Sequence, residues 1–153
     1  FTEVQMKIKK KAPGPWTTLM LRLCMMQVAN MISDRIGADC IITGESLAQV
    51  ASQTVENLSV TESFARKPLL RPLVGLDKEE IIETAIQIGS YPVSILPYED
   101  CCVLFSPRHP VLRAGIEEAK EIYRSMEIDE LVEKAYEERT VVKFNLQDTV
   151  KSL

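Results

Sequence analysis

The stretch ADCIITGESLAQVASQT, Ala38 to Thr54, decides how this chain is read. Ala38 to Ile42 is an apolar run of the kind a parallel strand shows when both its faces are buried. Thr43-Gly44-Glu45-Ser46 interrupts it. Gly44, with no Cβ, allows a sharp turn and a close approach of backbone to a ligand. Leu47 to Leu58 resumes with helical spacing. A helix starting just beyond a buried strand aims its free N–H groups at the crevice above the sheet, where anions and nucleotides bind. Two readings stay open on spacing alone: a ligand site, or an ordinary strand-to-helix turn. No Walker loop and no GxGxxG fingerprint occurs in the chain.

Working outward, residues 1–5 read as the end of a strand. Lys7, Lys9, Lys10 and Lys11 read as a solvated charged turn, with phosphate contact to RNA as the alternative. Gly14-Pro15 opens a helix. Leu21, Met25, Val28, Ile32 and Ile36 form its buried stripe, and Gly37 ends it. Arg22 lies off that stripe, where a solvent-facing arginine is expected. On the helix after Gly44, the residues Gln49, Gln53 and Glu56 share one polar face. Residues 59–67 read as a loop and 69–75 as a strand, with Pro72 placing it at an edge or a strand end. Asp77 caps the next helix, with Glu80 completing a capping box. Ile81, Ile82, Ala85 and Ile88 are its buried stripe, and Gly89 its end.

Residues 90–110 are punctuated by four prolines and hold Cys101, Cys102 and the only histidine, His109. Long ordered loops often carry function. A reactive cysteine works as thiolate and needs nearby cations or a helix N-terminus. Glu99 and Asp100 oppose that, and Arg108, His109 and Arg113 help only if the loop folds back. Reactive and merely packed cysteines both remain open here. Cys24 and Cys40 read as core packing. Two charged helices follow, over 114–126 and 130–139, the second capped by Asp129. Residues 140–146 suggest a short strand, and 147–153 a polar tail.

The chain has 153 residues, about one domain, at 46% hydrophobic and 26% charged. A net charge of −4 argues against broad non-specific nucleic-acid binding and leaves room for a local basic footprint. The four cysteines fit a reduced, cytoplasmic protein better than a disulfide scaffold, and no zinc pattern occurs. No apolar run reaches membrane-spanning length. The chain starts at Phe1 without an initiator Met, so a piece of a longer protein is expected.

TGESLAQVASQT closely resembles the signature of the tRNA 4-thiouridine synthetase and thiamine biosynthesis family, ThiI. Further matching blocks are FTEVQ (Phe1 to Gln5), the Arg-bearing helix from Leu19 to Ile32, LLRPLVGLDKEEII (Leu69 to Ile82) and YEDCCVLFSPRHP (Tyr98 to Pro110). The resemblance implies an α/β, three-layer, Rossmann-like fold: a parallel sheet flanked by helices, of the PP-loop ATPase type. Its pyrophosphate loop, its N-terminal RNA-binding domains and the rhodanese domain of some members are absent here. Residues 1–146 therefore look like the second half of the nucleotide-binding domain. In the implied strand order 3-2-1-4-5, residues 1–5 fall on strand 3, 39–42 on strand 4 and 69–74 on strand 5. Two intervening strands would leave a gap of about 14 Å between the first two segments, at roughly 4.8 Å per strand.

The resemblance also implies the chemistry. ATP, with Mg2+, adenylates O4 of a tRNA uridine, and a persulfide sulfur displaces AMP to give 4-thiouridine. Arg22, Gly44 and Gln53 would hold ATP, and Cys101 would handle sulfur. Cys102 is less securely placed, because other members often have Gly there. The implied partners are tRNA and a cysteine desulfurase-type sulfur donor, with a homodimer allowed and no membrane. The chain alone is expected to hydrolyse no ATP. Two alternatives stand beside this: a non-catalytic interaction domain, and another amidating or thiolating PP-loop enzyme. The cysteine loop weighs against an amidating relative.

Overall fold

A computed structural model describes residues 1–97 and 107–143. Cys101 and Cys102, residue 144 onward and the polar tail lie outside the described residues. Within them the chain is helix-rich α/β, built as α1 (Thr2–Lys11), α2 (Thr17–Ile36), β1 (Ile41–Ile42), α3 (Val55–Glu62), β2 (Leu69–Leu70), α4 (Lys78–Gln87), α5 (Tyr91–Ser94), α6 (Ile116–Ser125) and α7 (Asp129–Glu137).

β1 and β2 pair in parallel, with Ile41 opposite Leu69 and Ile42 opposite Leu70. The ladder extends through Ile41 N–H to the Pro68 carbonyl at 2.9 Å and Thr43 N–H to the Leu70 carbonyl at 3.0 Å. The expected adjacency of the two segments holds, and α3 makes the connection a β-α-β unit. Beyond Leu70, Pro72 removes a ladder donor and the chain turns.

The N-terminal expectation fails. Residues 1–5 are not a strand, and the lysines are not in a turn; all but Phe1 belong to α1. Val4 and Ile8, four apart, are fully buried on one face. Lys9, Lys10 and Lys11 fall in the last turn, where cations complement the helix dipole. The 14 Å strand-to-strand gap therefore has no first strand to be measured from. α1 packs on α2 and α7, and these helices with α3 and α6 enclose the core. Its centre is Ile8, Leu19, Met20, Leu23, Met126 and Ile128. Phe64 meets Tyr123 edge-on at 5.2 Å between ring centroids.

A single 3-10 turn at Gly14–Trp16 leads into α2, and Gly37 ends that helix at φ 67°. The stripe expected to be buried on α2 is mostly the open side. Met25, Ile32 and Ile36 are exposed, while Leu19, Met20, Leu23 and Cys24 face the core. Both sides of α2 are apolar, so periodicity identifies the helix without choosing its inner face.

The α4 capping box is present as read. Asp77 Oδ1 accepts from Glu79 N–H at 2.9 Å and Glu80 N–H at 3.0 Å, and Glu80 Oε2 accepts from Asp77 N–H at 2.8 Å. Gly89 follows at φ 75°. The stripe of α4 is only half-buried, and Ile88 is exposed. Asp129 is not a cap: Ile128 occupies that position, and the Asp129 carboxylate accepts from Tyr123 Oη at 2.9 Å. Residues 140–143 form no strand. Among the described residues no helix is long and apolar enough to cross a membrane.

Candidate nucleotide site

The signature stretch is not one helix from Leu47. Ala48 takes a left-handed φ of 61°, unusual for a residue with a Cβ, and breaks the run. A 3-10 turn spans Ala51–Gln53, and α3 begins only at Val55. Thr54 is the reason for that start: its Oγ1 accepts from Asn57 N–H at 3.2 Å as an N-cap. Gln49, Gln53 and Glu56 consequently share no helical face. The expected loop at 59–67 begins only after Glu62, where α3 ends.

The loop is tied down from several sides. Ser46 Oγ donates to the Leu76 carbonyl at 2.9 Å, and Leu47 N–H to the Val74 carbonyl at 3.1 Å. Gln53 braces the loop internally. Its side-chain oxygen accepts from Ser46 N–H at 3.3 Å, and its carbonyl from Ala48 N–H at 2.9 Å. Gly44 is exposed, and a Cβ there would meet no atom of the described residues within 4 Å. Its φ is not in the left-handed region, so the backbone geometry itself does not demand glycine. Any demand comes from what occupies the open space beside it.

Arg22 does not project into solvent. Its side chain is 18% exposed and pairs through Nη2 with Glu45 Oε1. Nη1 donates to Ser52 Oγ at 3.3 Å. Arg22 thus reaches from α2 to both limbs of the signature loop. Beside it lies an open cavity of about 380 Å³, within the size range of small-molecule sites. Met25, Met26, Ala29, Ile41 and Ile42 form its apolar wall, and Arg22, Thr43, Glu45 and Ser52 its polar rim. Gly44 and Gln53 do not line this cavity themselves; their immediate chain neighbours do.

Sequence reasoning missed Glu45 and Asn57. Glu45 is 5% exposed. Its Oε2 accepts from Arg71 Nε at 2.7 Å and from Thr43 Oγ1 at 2.8 Å. Asn57 is fully buried and donates to the carbonyls of Ala51 (2.9 Å) and Val111 (2.8 Å). It also accepts from Ala114 N–H at 3.3 Å. It therefore joins the signature loop to the segment emerging from the proline-rich stretch. No local signal marked either residue: Glu45 sits in the polar turn Thr43-Gly44-Glu45-Ser46 and Asn57 beside Glu56, and only the fold shows that both are buried and must find partners. Cys24 is buried, and burial, followed by the Asp129 charge, pushes its thiol up to about 12. It is a packing residue, as read. Cys40 is half-buried. His109 is exposed.

The class this defines is an α/β protein with a cation-bearing crevice beside a strand-turn-helix connection. Comparison with known proteins then fixes the family. The family described as thiamine biosynthesis protein (ThiI) matches residues 1–128, and this chain belongs to it. A probable tRNA sulfurtransferase of Treponema pallidum (strain Nichols) is 52% identical over 138 residues, covering 90% of this chain and 34% of that protein. One from Caldanaerobacter subterraneus subsp. tengcongensis is 45% identical, covering 90% and 36%. The crystal structure of a 4-thiouridine synthetase–RNA complex with bound ATP superposes with a TM-score of 0.85 at 39% identity, covering 91% of this chain and 36% of that one. The chain thus spans about a third of the length of these relatives.

Proposed function

We propose that the chain is the second half of the PP-loop ATPase domain, over residues 1–146, of an ATP-dependent tRNA sulfurtransferase. The observation that carries this is the convergence of Arg22 and the signature loop on one apolar-walled crevice. The residues fit a nucleotide. An oriented guanidinium suits phosphate. The apolar wall suits a base, and the open face of Gly44 leaves room for close backbone approach. The 4-thiouridine synthetase relative, which holds ATP and RNA, supports the same reading.

In this reading Arg22, Gly44 and Gln53 contact ATP, which enters with Mg2+, and Gln53 also shapes the loop that presents Gly44. ATP adenylates O4 of a tRNA uridine with loss of pyrophosphate; a persulfide sulfur displaces AMP, and the Cys101 thiolate cleaves its S–S bond, leaving the sulfur on the uridine and forming a disulfide. Sulfur comes from a cysteine desulfurase-type donor, in the cytoplasm. A role in forming the thiamine thiazole follows from the family. The three-layer Rossmann-like sheet is completed by strands outside this chain, so the 153 residues alone hydrolyse no ATP.

Calorimetry with ATP and thiouridine absorbance of tRNA, on the full encoded protein, test this. Gly44→Val is expected to weaken ATP binding with little change in melting temperature, because a Cβ there meets no atom of the described residues. Gln53→Ala is expected to weaken it too. Cys101→Ser is expected to abolish 4-thiouridine and leave adenylation intact. Unchanged ATP affinity in both loop variants would overturn the nucleotide assignment, and full thiouridine formation in Cys101→Ser the sulfur assignment.

A further inference from the structure

We propose that Glu45 is a positioning residue that sets Arg22 for the nucleotide, and that Arg71 in turn anchors Glu45. The proposal rests on reading Arg22 as a ligand of ATP. A carboxylate only 5% exposed is costly unless charge and hydrogen bonds compensate it. Glu45 has three partners: Arg22, Arg71 Nε at 2.7 Å and Thr43 Oγ1 at 2.8 Å. The two arginines differ in what else they do. Arg71 is tied to the scaffold, with Nη1 donating to Glu62 Oε2 at 2.7 Å and Nη2 to the Leu58 carbonyl at 3.1 Å. It is not among the residues lining the cavity, whereas Arg22 is. A guanidinium–carboxylate–guanidinium chain therefore runs from the end of α3, through Glu45, to the crevice.

The consequence is geometric. A long arginine side chain left free samples many rotamers and loses that freedom on binding an anion. Clamped by Glu45 and Ser52, Arg22 has already lost it, so the nucleotide meets a guanidinium already held in place. Simple Coulomb attraction gives the opposite expectation for removing Glu45. The Arg22–Glu45–Arg71 group carries a formal +1, and Glu45→Gln would raise it to +2. If charge alone mattered, a polyanion would bind more tightly to that variant. If position matters, it binds less tightly.

A double-mutant cycle on the full encoded protein, read by calorimetry with ATP, separates these. Glu45→Gln is expected to weaken ATP binding on the order of tenfold, the loss of one charge-assisted contact. In an Arg22→Ala background the same change is expected to have no further effect, because Glu45 acts through Arg22. A merely structural role would lower affinity equally in both backgrounds. Arg71→Lys keeps the charge but breaks the fork, and carries the test if Glu45→Gln does not fold. It is expected to weaken binding several-fold, again only when Arg22 is present. Tighter or unchanged binding in Glu45→Gln, or additive losses in the cycle, would overturn the proposal while leaving Arg22 as a ligand. ATP affinity unchanged by Arg22→Ala would overturn the Arg22 assignment and this inference with it.

Discussion

Cys24 shows how one residue's surroundings fix its chemistry. It sits on the inner side of α2 with its thiol fully buried, pushed from an ordinary 9.0 to about 12 by burial and then by Asp129. Tyr123 nearby moves in the same direction, through burial, Cys24 and Asp129. Both groups are held in their protonated, neutral forms. A folded-state pKa raised above the unfolded one stabilises the fold below the unfolded value, and that stability is lost as pH rises. For Cys24 the loss falls between about pH 9 and 12. Denaturant unfolding from neutral to alkaline pH is expected to show stability declining in that window. Cys24→Ala is expected to cost roughly 1 kcal/mol at neutral pH, the order for one buried methyl-sized group, and to flatten the alkaline decline. An undiminished slope in the variant would place the alkaline sensitivity elsewhere. The thiol is also expected to resist alkylation in the native state, since the thiolate is the nucleophile.

At the level of elements, local signals were readable where the chain itself supplies both halves of an interaction. The Asp77–Glu80 box and Gly37 at the end of α2 are of that kind. The parallel pairing of β1 with β2 followed from the strand order that the resemblance implies, which sets the two segments side by side. Elements were misread where a distant partner or a topological expectation decided the matter. Val4 and Ile8, four apart, fit the buried face of α1, but five residues at a chain end read equally as the end of a strand, and the strand order implied by the resemblance reinforced that reading. Ala48 in a left-handed turn delays the helix after Gly44, and nothing in the helical spacing of 47–58 forbade an earlier start. The closeness of Arg22 to the signature loop was legible only through the resemblance. Glu45 was not legible, because its role depends on Arg71, which lies 26 residues further along the chain. α4 provides a test of local stability. It has no fully buried residue, so its cap contributes an unusual share of its order. Asp77→Ala is expected to cost about 1 kcal/mol, seen as faster amide exchange over residues 78–87 with little change in global melting. Slower or unchanged exchange there would show that packing, not the cap, holds α4.

At the scale of the molecule, the helical core is closed while one side of α2 and the sheet beside it are open. Met25, Ile32 and Ile36 follow one another along α2, and Ile42 on β1 is 65% exposed. A second apolar cavity, about 500 Å³, lies among Phe1, Leu21, Met25, Val28 and Ile32 and shares Met25 and Ala29 with the first. A contiguous apolar surface beside a two-stranded sheet combines two routes to association: hydrophobic burial, and pairing of strand backbone groups. The net charge of −4 on 153 residues gives only modest repulsion against it. The purified 153-residue chain is therefore expected to self-associate, with a weight-average mass that rises with concentration in sedimentation. Ile36→Lys with Ile42→Lys is expected to return it towards monomer. Because both side chains are mostly solvated in the single chain, the pair is expected to shift stability by no more than about 0.5 kcal/mol. A monomer at all concentrations without the substitutions would show that this surface is too small or too interrupted to drive association. A mass unaffected by the two lysines would place the contact on another face, with the exposed Ile86, Ile88, Val93 and Ile95 of the α4–α5 region the next to substitute.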